Sequence, residues 1–409
     1  MRRKRTYNRT FTLFTITFLI LISLLILQYA NISPTDYSIL KINRVCIVSR
    51  SSDKYIFSEK NKNIKANNTA QLSFVLETIS TDGMTTNYYG TIPQVRIKGC
   101  IYPVTPLPDK NKGPLTIYWY KVESCPHPTG YNNYTPDRHA WRGWDAIKYT
   151  EYEVTEWRDQ WEVPVNVLSK YYPESRTGYG TMRYKVTIRY CGNTISSPGK
   201  RSLTRSGISR RVHRISVRPD NSYIGYLISM INLPYIYGSH QEYEPYMSTH
   251  QAERFIGMDC CDFAVAGRRL FHNKKKIPYT SSEFLWRWHF GNRQESPWGV
   301  YRHEHIVYKG SGTRMRLKWG RNGIQPGDAI VYNMSKKPFE PPKGRLDHTA
   351  VLFQDRSSIW SAERGTGNGI LDKTDVIIQM HMTRIMYSPV FDFYPENLED
   401  IEFCILRWL

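Results

Sequence analysis

GMDCCDFAVAGRRL, Gly257 to Leu270, is the stretch whose reading decides the fold. Gly257 permits a tight turn, and Asp259 suits the N-cap, where a side-chain oxygen takes up the backbone N–H groups that open a helix. Phe263, Ala266, Gly267, Leu270 and Phe271 then recur at helical spacing, so one face can enter a core. Cys260 falls in the first turn, at the positive end of the helix dipole. A thiol there is expected to titrate low, and the thiolate is the nucleophilic form. Such a thiol needs a base, and the candidate is His348 in LDHTAVLF.

The surroundings of this stretch read as a two-part chain. Downstream of Lys318, AIVYN, HTAVLFQD, SIWSAE, VIIQMHMTRIMY and IEFCILRWL read as strands, with GIQPGD turning into the first. Upstream, Asn221 or Ser222 can cap a helix over Tyr223 to Asn232, and a further helical segment is expected around Ser281 to Trp288. Helices first and an antiparallel sheet second predict an α+β domain over 221–409. From about Arg44 to Arg218 the pattern has period two: LSFVLETIS, TIYWYKVES, AIKYTEYEV and TMRYKVTIRY alternate, separated by turn clusters such as Thr81-Asp82-Gly83 and CGNTISSPGK. The expected form for 40–220 is an all-β, sandwich-like domain, either an antiparallel β-sandwich or several small β units.

Residues 1–39 carry Arg2, Arg3, Lys4, Arg5 and Arg9 ahead of an uncharged apolar run from Phe11 to Leu27. That length matches a spanning helix, and the Gln28-Tyr29-Ala30 end is a poor cleavage site. The expectation is a transmembrane signal anchor with everything after it exported, or else a secreted chain. Cys46, Cys100, Cys125 and Cys191 form an even set in that region, which predicts up to two disulfides with the pairing open. Their long spacing argues against zinc.

The net charge of +20, from 56 Lys and Arg against 36 Asp and Glu, favours anionic partners or simply a well-solvated surface. The basic run Lys200 to Arg218 could meet an acidic polymer or lipid head groups. No nucleic-acid recognition motif is present, so that partner is not expected. An aromatic content of 14%, with 30 tyrosines, is that of a folded chain and points to sheet surfaces and binding grooves more than to coiled coil. His303 and His305 with His289 could ligate a metal, but no Cys or carboxylate set stands at metal spacing beside them. No cofactor is called for.

The order LPYIYG, GMDCCDF, QPGDAIVYN, DHTAVLF resembles the NlpC-type cell-wall peptidases of the papain-like superfamily, over about Tyr223 to Glu363. The resemblance implies that Cys260 is the nucleophile, that His348 is the base and that Tyr235 lines the substrate pocket. The family's third polar residue corresponds to Ser361 in IWSAERG. Glu363, two residues on and on the same strand face, is the preferred orienting carboxylate, with Asp347 and His381 as alternatives. The resemblance further implies amide hydrolysis in peptidoglycan stem peptides, with peptidoglycan or another envelope polymer as partner. Three departures stand out. Cys261-Asp262 replaces Ser-Gly, Ser239 replaces a second Gly, and an aromatic- and His-rich insertion occupies Phe271 to Arg316, with Trp286, Trp288 and Trp298. These departures leave two rival readings: a catalytically inactive binding module, and an acyltransferase or toxin sharing the chemistry.

Overall fold

The computed structural model describes residues 41–66, 69–80, 83–107, 115–128, 130–132, 147–204, 207–239, 250–272, 279, 281–282, 285, 300–301, 318–320, 323–332, 348–356, 367–381, 384–389 and 403–408. Two long alternating strands, Ile42–Ser51 and Ala70–Ile79, pair antiparallel and centre a seven-stranded sheet. Leu115–Ser124 and Gly180–Tyr190 pair likewise at the heart of a six-stranded sheet. The apolar faces of the two sheets meet in one core, with Phe74, Trp119, Met182, Tyr184 and Ile215 fully buried. The period-two pattern dictates this, because every second residue of each strand must leave water.

The C-terminal part holds a third sheet of six antiparallel strands, in the order Val300–Tyr301, Phe403–Trp408, Ala329–Tyr332, His348–Gln354, Val376–His381, Arg384–Pro389. Helix α1 (Tyr223–Ile228) and helix α2 (Cys260–His272) pack on one of its faces. Ser222 caps α1 by accepting the N–H of Gly225 at 3.0 Å. Val331, Val351, Ile378 and Met380 share a core with Phe263, Ala264 and Leu227 of the helices. The opposite face buries Ile330, Tyr332, Ala350, Leu352, Ile377 and Phe403.

The fold expected from the sequence is corrected on three counts. Strands dominate the whole chain: 23 strands stand against two α-helices among the described residues, and the helices are only 6 and 13 residues long. The C-terminal part is therefore a sheet with two short helices laid on it rather than an α+β papain-like domain with a helical layer. Its apolar runs are short and β-branched, which suits buried strands. Pairing in the first region is mixed rather than purely antiparallel. Lys62–Lys65 runs parallel to His213–Arg218, and Phe57–Ser58 runs parallel to Gln94–Ile97. Among the described residues no helix is long and apolar enough to cross a membrane, so the localisation by a single-span N-terminal anchor is withdrawn. The run Phe11 to Leu27 that motivated it lies outside the described residues.

The disulfide expectation is also not met. Cys46, Cys100, Cys125 and Cys191 are all free thiols, and Cys46 is buried inside the first sheet, where desolvation pushes its thiol up to about 12. The expected segment Ser281 to Trp288 shows one helical hydrogen bond, from Leu285 N–H to the Ser281 carbonyl at 2.9 Å, and Trp286 to Trp288 lie outside the described residues.

The two regions are joined by polar contacts across the boundary near Asp220. Thr181 Oγ1 donates to the Ser229 carbonyl at 2.7 Å, and Asn232 Nδ2 donates to the carbonyls of Val167 and Thr181 at 2.8 and 3.1 Å. The buried Arg183 guanidinium donates to the Phe255 carbonyl in the approach to α2.

Candidate active site

The start of α2 is built as the sequence suggests, with an added part. Asp259 Oδ1 accepts the N–H of Asp262 at 2.9 Å, and the Asp259 carbonyl accepts the N–H of Phe263 at 3.0 Å, so Asp259 is the N-cap. The N–H of Asp259 donates to Ser239 Oγ at 2.9 Å, and the Ser239 hydroxyl donates to the buried Asp262 carboxylate. This is a capping box with a serine inserted between its two halves. Asp262 and Ser239, two of the departures from the NlpC-type pattern, are thus partners in one device. His250 supports it: its Nδ1 accepts the N–H of Ala252 at 3.1 Å, so Nε2 carries the proton and donates to the Ser239 carbonyl at 3.1 Å. The same Nε2 lies 3.9 Å from Asp262 Oδ2.

Cys260, the first residue of α2, is only 7% exposed. Its Sγ lies 3.5 Å from Ser282 Oγ, and the backbone N–H groups of Thr349 and Cys261 face the sulfur. Burial, followed by the Asp259 carboxylate, pushes the Cys260 thiol up to about 12. The expectation of a low-titrating thiol is corrected: desolvation outweighs the donors at the helix start. Cys261 points into the helix–sheet core and is held well above its ordinary range, again chiefly by burial.

His348 opens its strand and is 4% exposed. Its Nε2 lies 2.7 Å from Gln379 Oε1, on the neighbouring strand. That oxygen also accepts from the Tyr332 hydroxyl at 3.2 Å, while Gln379 Nε2 donates to Ser388 Oγ at 2.6 Å. An amide oxygen can only accept, so His348 carries its proton on Nε2, and Nδ1 is the basic nitrogen. Burial pushes the imidazole down to about 4, against the opposing pull of Gln379, and His381 lowers it further. His348 therefore stands neutral at pH 7.

The register decides how close the pair comes. Thr349 faces α2: its Oγ1 donates to Ser282 Oγ at 2.7 Å. Strand alternation then turns His348 to the other face, beside Tyr332, whose ring centroid is 5.2 Å from its own. The strand start is brought to the sulfur by the Thr349 N–H, yet among the described residues no hydrogen bond joins Cys260 to His348.

Tyr235 bridges to Met258 two residues before the thiol and packs, partly buried, against the helix–sheet core. Ser361, Glu363 and Asp347 lie outside the described residues, as do His289, His303 and His305. His381 sits on the His348 face with ring centroids 6.2 Å apart. Sequence reasoning missed Gln379 and Ser282. A signal for the first was present: one glutamine inside the apolar run VIIQMH must find partners if buried. Ser282 sits in a connection with no such pattern. Among the described residues no group of three or more His, Cys, Asp or Glu side chains is placed to hold a metal ion.

No family model, no curated protein and no solved structure matches the chain.

Proposed function

We propose that the C-terminal part is a cysteine hydrolase of amide bonds, with Cys260 as nucleophile, His348 as general base and Gln379 as the positioning residue of the base. The observation that carries this reading is the 2.7 Å bond from His348 Nε2 to Gln379 Oε1, on a strand whose next N–H faces the Cys260 sulfur. Nucleophile, base and orienter are the three parts a thiol acyl-transfer site needs.

The resting pair is a neutral thiol and a neutral imidazole. On attack, the Cys260 sulfur bonds the amide carbonyl carbon while the thiol proton is relayed by one bridging water around the strand start to His348 Nδ1, because the two side chains stand on opposite faces of the sheet. The tetrahedral oxyanion collapses, the C–N bond breaks, and His348 returns that proton to the leaving amine. Water then attacks the thioester, giving a proton to His348, and the departing sulfur recovers it. The resemblance to NlpC-type peptidases makes peptidoglycan stem peptides the first substrate class to test. Full-length chain incubated with purified muropeptides should yield new amine and carboxyl termini by mass spectrometry. Cys261→Ala should retain this cleavage and Cys260→Ala should lose it.

A second reading, a binding module without catalysis, is favoured by one observation: the Cys260 thiol is almost closed off from water and held as a thiol. Folded wild-type protein that leaves every muropeptide intact, yet retains it on a column, would establish that reading instead.

A further inference from the structure

The β-rich region carries a second feature, independent of the hydrolase reading. A cavity of about 1090 Å³ opens among residues 43–47, 59–61, 98, 151, 185, 195–202 and 210–211. Among the described residues eight cationic side chains line it against two carboxylates. Two of the eight are committed: Arg44 to Glu77 at 2.5 Å and Lys185 to Glu151 at 2.8 Å. Both lining carboxylates are also engaged, since Glu151 accepts the N–H of Lys200 and Glu59 accepts the N–H of Lys98, each at 2.6 Å. Lys60, Lys98, Lys200, Arg201, Arg210 and Arg211 remain, and among the described residues none of them forms an ion pair. Six like charges around one concavity repel one another, and an anion in that position relieves the repulsion.

The backbone adds an independent observation. Lys98 and Gly99 form the two-residue loop between strands Gln94–Ile97 and Cys100–Pro103, with φ of 50° and 91°. Asn, Asp or Gly is the ordinary choice at the first position of such a turn. A lysine held in the left-handed region costs backbone energy, and it places a cation at the cavity.

The lining also selects among anions. Among the described residues it contains no aromatic side chain, so these residues offer neither bases nor sugar rings a surface on which to stack. Its neutral polar side chains are Asn43, Asn61, Ser196, Ser197 and Ser202, which together with arginine forks match phosphate oxygens. We propose that this cavity binds a chain of closely spaced phosphate groups on a non-aromatic backbone, either a polyphosphate or a polyol phosphodiester.

The test is calorimetric titration of the full-length chain with sodium tripolyphosphate and with a glycerol-phosphate oligomer, at two salt concentrations. Both ligands should bind one to one, and the tighter of the two identifies the source. Lys98→Asn, which relaxes the turn while removing the charge, and the double variant Arg210→Gln/Arg211→Gln should each weaken binding by about tenfold or more. The dependence of log K on log salt should flatten by roughly one unit per charge removed. Lys373→Gln, exposed and outside the cavity lining, should bind as wild type. Absence of binding at low salt, equal binding by folded cavity variants, or tighter binding of a thymidine oligonucleotide of equal charge would overturn the proposal.

Discussion

Gln379 Oε1 lies 2.7 Å from His348 Nε2 and accepts a second bond from Tyr332, so one buried amide fixes the tautomer of the candidate base. Replacing Gln379 by Leu keeps the volume and removes that acceptor. The N–H of His348 then loses its acceptor, and Tyr332 and Ser388 each lose one hydrogen bond, at a cost of about 1–3 kcal/mol. On the hydrolase reading, kcat should fall by roughly a hundredfold with KM little changed, and Gln379→Asn should recover part of it. Steady-state kinetics beside denaturant melts separates the two effects. A stability loss with full kcat would remove Gln379 from the site.

The thiol of Cys260, pushed up to about 12 by burial, is protonated at neutral pH. Its alkylation in the unliganded chain should be slow at pH 7 and rise about tenfold per pH unit through the alkaline range, because only the thiolate reacts. Peptide mapping after timed iodoacetamide pulses reads this, with the exposed Cys100 as the internal comparison. A rate at Cys260 that is already fast and flat at pH 6 would show an activated resting thiolate.

His213 is buried between the two β-sheets, with Nε2 at 2.9 Å from Ser49 Oγ and Nδ1 at 3.2 Å from the Glu59 carbonyl. Burial pushes it down to about 3. Its folded pKa lies below the unfolded value near 6.5, so the unfolded chain binds the extra proton and stability falls as pH drops below about 6.5. At pH 4.5 the loss from this group should be about 2–3 kcal/mol, and His348 contributes with the same sign. His213→Asn should be less stable at pH 7.5 but show a flatter fall toward pH 4.5 in urea titrations. An unchanged slope would refute the assignment.

The serine-bridged cap makes α2 depend on a residue twenty positions upstream. Ser239→Ala removes the acceptor of the Asp259 N–H and the donor to the buried Asp262 carboxylate together. A loss of about 1–3 kcal/mol is expected. Ser239→Ala combined with Asp262→Ala should cost less than the sum of the two single changes, because each single change strands the other's partner. Additivity would mean that the two side chains act separately.

The helix start and the strands were legible because they are written locally. Asp259 as N-cap, Ser222 as the cap of α1 and the alternating strands all follow from spacing and side-chain type. What failed depends on burial and long-range pairing. The low-titrating Cys260 was argued from the helix dipole alone, but the closure around it by Ser282 and Thr349 is set by residues far along the chain. The orienting group was sought in IWSAERG, outside the described residues, whereas Gln379 comes from the strand paired with His348. The parallel pairing of Lys62–Lys65 with His213–Arg218 joins segments some 150 positions apart, which no local pattern encodes. The free thiols show the limit of cysteine counting, because an even number states nothing of where strands carry them.

The most direct test of the central claim is to trap the acyl-enzyme. Full-length chain is mixed with muropeptides, quenched in acid within milliseconds to seconds, digested and mapped by mass spectrometry. The account predicts a substrate acyl group on Cys260, absent from Cys260→Ala, retained in Cys261→Ala and slower to form in Gln379→Leu. Muropeptide cleavage with no adduct at Cys260, or an adduct on Cys261 instead, would contradict it.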